Sequence, residues 1–400
     1  MLDNIKNINN LKKIIKNKSL KSVIRKPLND LSIDFLEEFS NQLKKTKKVY
    51  EYPDLVYLIF WCRRAKIEKL KVSINENRLG RGLIFHICPS NVPTNFIYSF
   101  FFGLLSGNSN IVKMSTKDSE QKKVILKVLE VLFKKKKFAD IRKSNFFIEY
   151  DYINEGDFTN KISAISNGRV VWGSDETINQ IKKIWSPERC IDVMFSDRYS
   201  LSVINLDKLK KLNKDNLKML ANKFYYDSYS MNQQGCNSPH FLFWIGSKNN
   251  EIQNQFWDSL SEIIENKHNF KEIQIVDKYT KLIENILDRN DIKNIRTKKN
   301  NIYILDYKDN EKIIENIRGI NGIFYQLNLR NLGDLSKYIT KKCQTMTYSG
   351  FDKNELQDFI FYNNLEGLDR IVPIGKALDI DFNWDGYDLI KTLSRVIVIS

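Results

Sequence analysis

Short apolar runs alternate with helical segments from residue 81 onward, and this alternation limits the fold more than any other feature of the sequence. The runs lack polar alternation, so both faces of the predicted strands are expected to be buried. Such strands, separated by helices, form parallel sheets with right-handed crossovers. We therefore predict an α/β protein with a doubly wound domain. The predicted strands cover residues 81–89, 111–114, 146–150, 169–172 and 190–195.

A second alternating series begins near residue 199 and predicts a second α/β domain. Its predicted strands cover residues 201–204, 241–245, 302–305, 323–327 and 371–374. Residues 1–70 are predicted to be mostly helical, with lysine-rich exposed faces. The apolar run at residues 396–399 predicts a terminal strand. Such a strand promotes aggregation unless it is paired, for example with a partner subunit.

The composition is typical of a globular chain with a large core, because 42% of its 400 residues are hydrophobic. Its five cysteines are irregularly spaced, without a C-x-x-C pair, and its three histidines lie far apart. We therefore predict neither disulfides nor a metal site, and reduced thiols suggest a cytoplasmic protein. The longest apolar run, residues 96–105, is much shorter than the ~20 residues of a membrane span, and the first residues hold no signal core, so no span is expected.

The net charge of +16 raises the question of nucleic-acid binding. The excess is spread over many surface segments in which lysine accompanies asparagine and isoleucine, as in proteins encoded by AT-rich genomes. The only tight basic run, Lys134–Lys137, ends a predicted amphipathic helix, where positive charge suits the helix dipole. We do not predict nucleic-acid binding; a basic surface can equally attract an acidic protein or an anionic substrate.

The stretch Gln233-Gln234-Gly235-Cys236 places a single thiol on a predicted loop. Gly235 allows close backbone approach, and Pro239 discourages regular structure after the thiol. A thiol held in this way can form a thioester, so Cys236 is a candidate for covalent catalysis. Considered alone, a buried structural cysteine is an equally good interpretation.

Two polar residues lie at predicted carboxyl ends of strands, where open α/β sheets bind ligands. Asn91, between Pro89 and Pro93, could donate to an oxyanion, or it could serve a turn or a helix cap. Lys113 could bind a ribose or phosphate, although most lysines of this chain are expected to be solvated. The glycine-rich dinucleotide and P-loop fingerprints are absent from the sequence.

A strand is also predicted to run into Gly173-Ser174 and then a helix start, where N–H groups suit a pyrophosphate. An ordinary helix N-cap is the alternative. Glu176, on the first turn of that helix, and His240 are candidate proton donors. For Glu176 the alternative is an acid that complements the helix dipole, and for His240 it is a packed side chain at a strand start.

These segments occur in the order and spacing of the aldehyde dehydrogenase superfamily. The chain most closely resembles the acyl-CoA reductase branch, which includes the fatty-acid reductase subunit of bacterial bioluminescence. The resemblance runs from about Gly80 to the C-terminus. It is carried by the segments GRGLIFHICPSNVPTNF, GLLSGNSNIVKMS, VVWGSDETI, FSDRYS, QQGCNSPH, RIVPIGKALD and WDGYDLI.

The resemblance implies a role for each candidate residue. Cys236 matches the nucleophile of the family, and Asn91 matches the asparagine whose amide helps to bind the thioester oxyanion. Lys113 matches the lysine that contacts the adenosine ribose, with Ser115 and Thr116 following it in the cofactor site. The turn that meets the cofactor pyrophosphate is matched by Gly173 and Ser174.

Two departures from the family pattern refine these expectations. NAD-preferring members carry a glutamate at the position of Thr116, and a carboxylate there would repel a 2′-phosphate, so NADPH is the expected cofactor, with NADH as the alternative. Hydrolytic members carry a water-activating glutamate, whereas the corresponding residues 193–198 place no carboxylate there. A thioester on Cys236 should therefore resist hydrolysis.

The sequence thus predicts NADPH-dependent reduction of an activated acyl group to an aldehyde through acyl-Cys236, as in long-chain acyl-CoA reductases. The donor would be acyl-CoA or an acyl-protein, with an acyl-protein synthetase as a partner in the second case. The alternatives are an aldehyde dehydrogenase working oxidatively and a non-catalytic binding protein. The expected domains are residues 1–198 (dinucleotide-binding), 199–375 (catalytic) and 376–400 (C-terminal return). Subunit-bridging strands are expected near residues 66–80, in a homo-oligomer.

Overall fold

The structure is a computed structural model that describes residues 4–16, 22–71, 77–287, 290–308 and 314–400. The chain divides into a first unit, Met1–Asp197 with Asp381–Ser400, and a second unit, Arg198–Ile380. The expected boundaries were residues 198 and 375.

The first unit begins with four helices and then alternates strands with helices. Its helices up to residue 197 are α1 (Ile8–Lys16), α2 (Asp30–Lys44), α3 (Pro53–Trp61), α4 (Arg64–Lys71), α5 (Asn95–Leu105), α6 (Glu120–Lys134), α7 (Ala139–Ser144), α8 (Tyr152–Ser163) and α9 (Asp175–Lys182). Its strands are β1 (Arg78–Gly80), β2 (Leu83–Ile87), β3 (Ser109–Met114), β4 (Asn145–Glu149), β5 (Gly168–Trp172) and β6 (Ile191–Phe195).

Five of these strands form a parallel sheet in the order β4-β3-β2-β5-β6. Every residue of β2 is buried, as its continuous apolar sequence predicts for a central strand covered on both faces. The strand order reverses between β2 and β5, so their carboxyl ends form the switch point where doubly wound sheets bind ligands. The loops that follow β2, β3 and β5 carry Asn91, Ser115 and Gly173.

The second unit contains the second predicted series. Its helices are α10 (Leu206–Leu209), α11 (Lys214–Tyr229), α12 (Asn250–Lys267), α13 (Glu272–Ile286) and α14 (Lys353–Tyr362). Its strands are β7 (Tyr199–Asn205), β8 (Pro239–Ile245), β9 (Ile292–Lys298), β10 (Ile302–Tyr307), β11 (Ile323–Leu329), β12 (Cys343–Ser349) and β13 (Arg370–Pro373).

These strands form one sheet in the order β13-β12-β7-β8-β11-β10-β9, parallel except for the edge strand β9. Successive residues of β8 point to opposite faces of this sheet. Phe241 and Phe243 belong to one buried cluster, and Leu242 and Trp244 belong to another. Both faces are therefore covered, which agrees with the apolar sequence of the strand.

The chain then returns to the first unit through β14 (Asn383–Trp384), β15 (Tyr387–Asp388), α15 (Leu389–Thr392) and β16 (Ser394–Val396). The terminal strand was predicted at residues 396–399, but the observed strand is Ser394–Val396. It pairs antiparallel with β1 of the same chain, with Gly80 opposite Ser394, rather than being left unpaired. Beyond β16, Val398 and Ile399 are exposed.

The expected strands near 66–80 are found only over Arg78–Gly80. Residues 66–71 belong to helix α4 instead, and residues 72–76 lie outside the described residues. The ion pair between Arg64 and Glu68, one turn apart at 3.2 Å, stabilises this helix. Within the described part of the chain, no helix has both the length and the apolar character of a bilayer span.

Candidate active site

Cys236 lies in a turn between helix α11 and strand β8. The chain leaves α11 through Asn232 and Gln233, whose φ angles are 52° and 60°, and this left-handed backbone reverses its direction. The N–H of Ser238 then donates to the carbonyl of Gly235 at 2.9 Å, which closes a turn around the cysteine. Cys236 is half-buried, whereas Gly235 and Asn237 on either side are buried. The turn therefore fixes the backbone of Cys236 and leaves its thiol partly exposed.

Gln233 fixes the start of this turn to the sheet. Its side-chain Nε2 donates to the carbonyl oxygens of Pro239 (3.2 Å) and Ile323 (3.0 Å), and its Oε1 accepts from the N–H of Gly322 (2.8 Å). The Gln233 side chain is buried, so these bonds satisfy polar groups that water does not reach. The cysteine loop is thereby connected to the starts of β8 and β11.

The thiol and the backbone of Cys236 each accept a hydrogen bond from a buried residue. Nε2 of Gln344 donates to Sγ of Cys236 at 3.2 Å, and Oγ of Ser200 donates to its carbonyl oxygen at 2.6 Å. Gln344 lies at the start of β12 and Ser200 at the start of β7. The cysteine thus sits at the amino ends of the parallel strands of this unit. Sequence reasoning did not identify either partner.

Asp227, on α11, stabilises the segment of the second unit that contains Gly375 and Ala377. Its carboxylate accepts from the N–H groups of Gly375 (2.6 Å) and Ala377 (2.9 Å). Asn237 donates to the carbonyl of Ala377 at 2.7 Å. Burial raises the pKa of Asp227 to about 7, because desolvation outweighs the two N–H donors. The family segment at 370–379 is therefore connected directly to the cysteine loop.

The other four cysteines differ from Cys236 either in burial or in their place in the fold. Cys62, Cys88 and Cys343 are buried, and burial raises the pKa of Cys88 and of Cys343 to about 12. The pKa of half-buried Cys190 is also raised, chiefly by burial. A buried thiol that resists ionisation is a poor nucleophile. Only Cys190 matches Cys236 in exposure, and Cys190 lies on no comparable turn between a helix and a central strand.

His240 has a structural environment. Its ring is buried, and Nδ1 accepts from the N–H of Gly319 at 3.1 Å. Burial and, secondarily, the charge of Arg318 lower the pKa of His240 to about 3. The ring is therefore neutral near pH 7, and this packed side chain connects the start of β8 to the loop that carries Gly319.

In the first unit, Lys113 lies near the carboxyl end of β3. Its Nζ is 5.1 Å from the centre of the Tyr150 ring, and burial lowers the pKa of this lysine. The buried Lys122 stabilises the following turn, which carries Ser115 and Thr116. Nζ of Lys122 donates to the carbonyls of Ser115 (2.8 Å) and Lys117 (3.0 Å). Thr116 itself is exposed, as a cofactor-contacting residue must be.

Gly173 and Ser174 join β5 to α9. A Cβ on Gly173 would lie 2.9 Å from Cβ of Thr177, so a side chain here would collide with the first turn of the helix. Ser174 is the N-cap of α9, and its Oγ accepts from the N–H of Thr177 at 3.3 Å. This close, side-chain-free turn at a helix start fits a pyrophosphate. Glu176 is exposed on the same turn and accepts from Gln180 at 3.4 Å.

A buried chain of hydrogen bonds supports this edge of the sheet. Nε1 of Trp172 donates to Oγ of Ser99 (3.1 Å), which is 2.8 Å from Nδ1 of His86. Nε2 of His86 is 2.9 Å from Oδ1 of Asn110, an acceptor. Nε2 is therefore the protonated nitrogen, and Nδ1 accepts from Ser99. Burial lowers the pKa of His86 to about 4, so the ring is neutral and acts as a fixed connector.

The structure brings the predicted cofactor residues to one edge of one sheet. Lys113, Ser115 and Thr116 are at the carboxyl end of β3, and Gly173 and Ser174 are at that of β5. Asn91 follows β2, which lies between them, and its side chain is exposed. Asn91 does not cap α5, whose N-cap is Thr94. Cys236 belongs to the second unit.

The segment at 191–198 contains two carboxylates, Asp192 and Asp197. Asp192 forms a two-point ion pair with the buried Arg169, with N–O distances of 2.7 and 2.6 Å. A carboxylate held in this way is a poor base for activating water. Asp197 is exposed, beyond the end of β6.

Two of three comparisons with known proteins found proteins similar to this chain. A scan against models of protein families matches residues 68–396 to the family described as acyl-CoA reductase (LuxC). Comparison with curated proteins found no match. Among solved structures, the chain is similar to proline utilization A from Bradyrhizobium japonicum, with 13% sequence identity, a TM-score of 0.63 and 90% of this chain covered. The chain spans only about 40% of the length of that protein.

Two further structures are similar over most of their own length. A salicylaldehyde dehydrogenase from Pseudomonas putida G7 has 10% identity and a TM-score of 0.64, with 92% of this chain and 84% of that chain covered. AldH from Staphylococcus aureus has 13% identity and a TM-score of 0.57, with 92% and 85% covered. At such low identities the likeness shows the fold, and it confirms the predicted aldehyde-dehydrogenase-like α/β architecture. Because the family match spans most of the chain and agrees with the resemblance seen in the sequence, the protein belongs to the acyl-CoA reductase (LuxC) family.

Proposed function

We propose that this protein reduces an activated acyl group to an aldehyde, with Cys236 as the nucleophile and NADPH as the reductant. Membership of the acyl-CoA reductase family supports acyl-CoA reductase activity in general. The observation that carries the specific proposal is the half-buried thiol of Cys236, held on a fixed turn with a donor at 3.2 Å from its sulfur. A donor at that distance favours the thiolate, which is the reactive form.

In the first half-reaction, the Cys236 thiolate attacks the carbonyl carbon of the acyl donor. The carbonyl oxygen becomes an oxyanion, for which the backbone N–H of Cys236 is the proposed donor; the family resemblance implies the side-chain amide of Asn91 as a further donor. Donors of this kind contribute on the order of 3 kcal/mol each in other acyl-transfer enzymes. The thiolate of the donor then departs and takes up a proton, and the acyl group remains on Cys236 as a thioester. Glu176 is the proposed source of that proton.

The second half-reaction requires a reduced nicotinamide, and the first unit has a site that fits one. Gly173 has no side chain in the turn that leads into α9, and Lys113, Ser115 and Thr116 lie at the carboxyl end of β3 on the same edge of the sheet. When bound, NADPH supplies the hydride that reduces the thioester carbonyl. The oxyanion then re-forms a carbonyl and expels the Cys236 thiolate, and the aldehyde is released.

The proposal favours NADPH over NADH for an electrostatic reason. Thr116 is exposed and uncharged, so it does not repel a 2′-phosphate as a carboxylate would. The proposal favours reduction over hydrolysis because residues 193–198 place no carboxylate at the position of the water-activating glutamate of hydrolytic members. The acyl donor is either acyl-CoA, including long-chain forms, or an acyl-protein supplied by a synthetase partner.

A coupled assay tests the proposal. Purified protein is mixed with NADPH and acyl-CoAs of several chain lengths, and both NADPH consumption and trapped aldehyde are measured. We expect equal amounts of the two, loss of both in Cys236→Ala, and retention in Cys190→Ala, which removes the other half-buried thiol. Acyl-dependent turnover that survives in Cys236→Ala would show that another group carries the acyl intermediate.

A further inference from the structure

We infer that Gln344 is a positioning residue that holds Cys236 in its reactive, thiolate-favouring state. Nε2 of Gln344 donates to Sγ of Cys236 at 3.2 Å, within the range of a hydrogen bond to sulfur. Gln344 is 1% exposed, so water does not compete for its amide. The inference deepens the proposed function, because it concerns the same thiol, and it concerns the state of that thiol before any acyl donor arrives.

The contact is one part of a closed set of bonds around the cysteine. Oγ of Ser200 donates to the Cys236 carbonyl at 2.6 Å and accepts from the N–H of Thr345 at 3.2 Å. Oγ1 of Thr345 donates to Oε1 of Gln344 at 3.4 Å. The last bond of the set runs from Gln344 back to the thiol. The carbonyl and the sulfur of Cys236 each accept a hydrogen bond from this set, and both bonds favour the observed position of the sulfur.

The strands give this arrangement its rigidity. Gln344 and Thr345 lie near the start of β12 in an irregularity of its parallel pairing with β7, where the two residues face the single residue Ser200. Further along the same pair, Oγ1 of Thr347 donates to Oγ of Ser202 at 2.8 Å. Residues held on central strands keep their geometry better than residues on loops. The amide that meets the sulfur is therefore placed by the sheet rather than by the cysteine loop.

An N–H donor acts differently on the two protonation states of a thiol. It forms a stronger bond with a thiolate than with a neutral sulfur, so it favours ionisation and lowers the pKa of the thiol. A carboxylate in the same place would act in the opposite direction, because it repels the negative sulfur. Substitution of Gln344 by glutamate keeps the shape of the side chain and reverses this effect, which makes the inference testable.

The test measures alkylation of Cys236 by iodoacetamide as a function of pH, by mass spectrometry of the peptide that contains it. For Gln344→Glu we expect the midpoint of the alkylation profile to rise by about one pH unit or more, with a roughly tenfold slower rate near pH 7. Gln344→Met, which has no donor and nearly the same volume, should move the midpoint in the same direction. The matched control is Thr347→Val, which loses a buried bond on the same strand and should keep the wild-type midpoint.

Each outcome is decisive because thermal unfolding is recorded in parallel. If a folded Gln344→Glu or Gln344→Met variant keeps the wild-type midpoint, Gln344 does not tune the thiol and the inference is wrong. It is equally wrong if Thr347→Val moves the midpoint as far. The assay needs neither acyl donor nor NADPH, so a shifted midpoint in a protein that reduces no acyl group would contradict the proposed function and leave this inference standing.

Discussion

The side-chain amide of Asn237 donates to the backbone carbonyl of Ala377 at 2.7 Å, so the residue that follows the candidate nucleophile is fixed to a segment 140 residues later in the chain. Both groups are buried. The same segment is held from the other side by the Asp227 carboxylate, through the N–H groups of Gly375 and Ala377. The position of Cys236 therefore depends on residues that are far from it in sequence.

We expect Asn237→Ala to loosen this connection. The buried carbonyl of Ala377 would lose its side-chain donor, at a cost of about 1–3 kcal/mol in the free energy of unfolding. Acylation of Cys236 should slow more than cofactor binding weakens, because the cofactor residues lie in the other unit. Asn363→Ala removes an amide-to-carbonyl bond of 2.8 Å from an exposed residue at the end of α14, and serves as a control for the loss of such a bond away from the cysteine loop. Urea unfolding and single-turnover acylation measure the two effects, and equal acylation rates in the two variants would contradict the prediction.

Asp227 should make the free energy of unfolding decrease as the pH rises. Its pKa is raised from 3.8 to about 7, so between these values the folded protein retains a proton that the unfolded chain has released. Stability from this group is thus present at low pH and is lost as the pH rises through about 7. Relative to Asp227→Asn, the wild type should lose up to about 1.4 kcal/mol per pH unit across this window.

Urea titrations of the wild type and Asp227→Asn between pH 5 and 8 test this sign. The variant shares every other titrating group, so the difference between the two proteins isolates the carboxyl. A stability difference between the wild type and the variant that stays constant over this pH range would show that Asp227 is already ionised at pH 5.

Gln233 should be important for stability although it does not touch the thiol. Gln233→Ala removes both donors to the carbonyls of Pro239 and Ile323 and the acceptor for Gly322, all at buried positions. We expect a loss of about 2 kcal/mol or more in the free energy of unfolding. Gln234→Ala, at the exposed neighbouring position, should change stability by less than about 0.5 kcal/mol. Similar midpoints of urea unfolding for both variants would contradict this assignment.

Thr116 should control the choice of cofactor. In Thr116→Glu, a carboxylate beside the proposed 2′-phosphate position would repel it, by about 1 kcal/mol or more at close range. The ratio of kcat/KM for NADPH to that for NADH should therefore fall roughly fivefold or more. Thr116→Gln, which has the same size without the charge, should change the ratio much less. If both variants keep the wild-type ratio, Thr116 does not face the 2′-position.

Much of the fold was predictable because its central strands are largely apolar. Strands β2, β5 and β8 are mostly apolar and buried, and each contains one polar or charged residue, His86, Arg169 and His240 respectively. Strands β9 and β12 were not predicted, for two different reasons. The sequence of β9, IKNIRTK, is largely exposed on an antiparallel edge, where little apolar pattern is needed.

Strand β12, CQTMTYS, is a buried strand whose polar side chains bond to partners on β7. A search for apolar runs does not find such a strand, because its polar groups are satisfied only once the sheet has formed. Gln344 was missed together with it. The cysteine loop, in contrast, was recognisable from Gly235, whereas Pro239, which was expected to discourage regular structure, begins strand β8. A local signal thus identified the loop of the candidate nucleophile, and the partners of Cys236 follow from tertiary pairing.

The central claim, an acyl group carried by Cys236, is tested most directly by intact-protein mass spectrometry after mixing with acyl-CoAs of several chain lengths. We predict a mass increase of one acyl group in the wild type and in Cys190→Ala, none in Cys236→Ala, and its discharge as aldehyde when NADPH is added. An adduct that persists in Cys236→Ala, or one that NADPH does not discharge, would contradict the account.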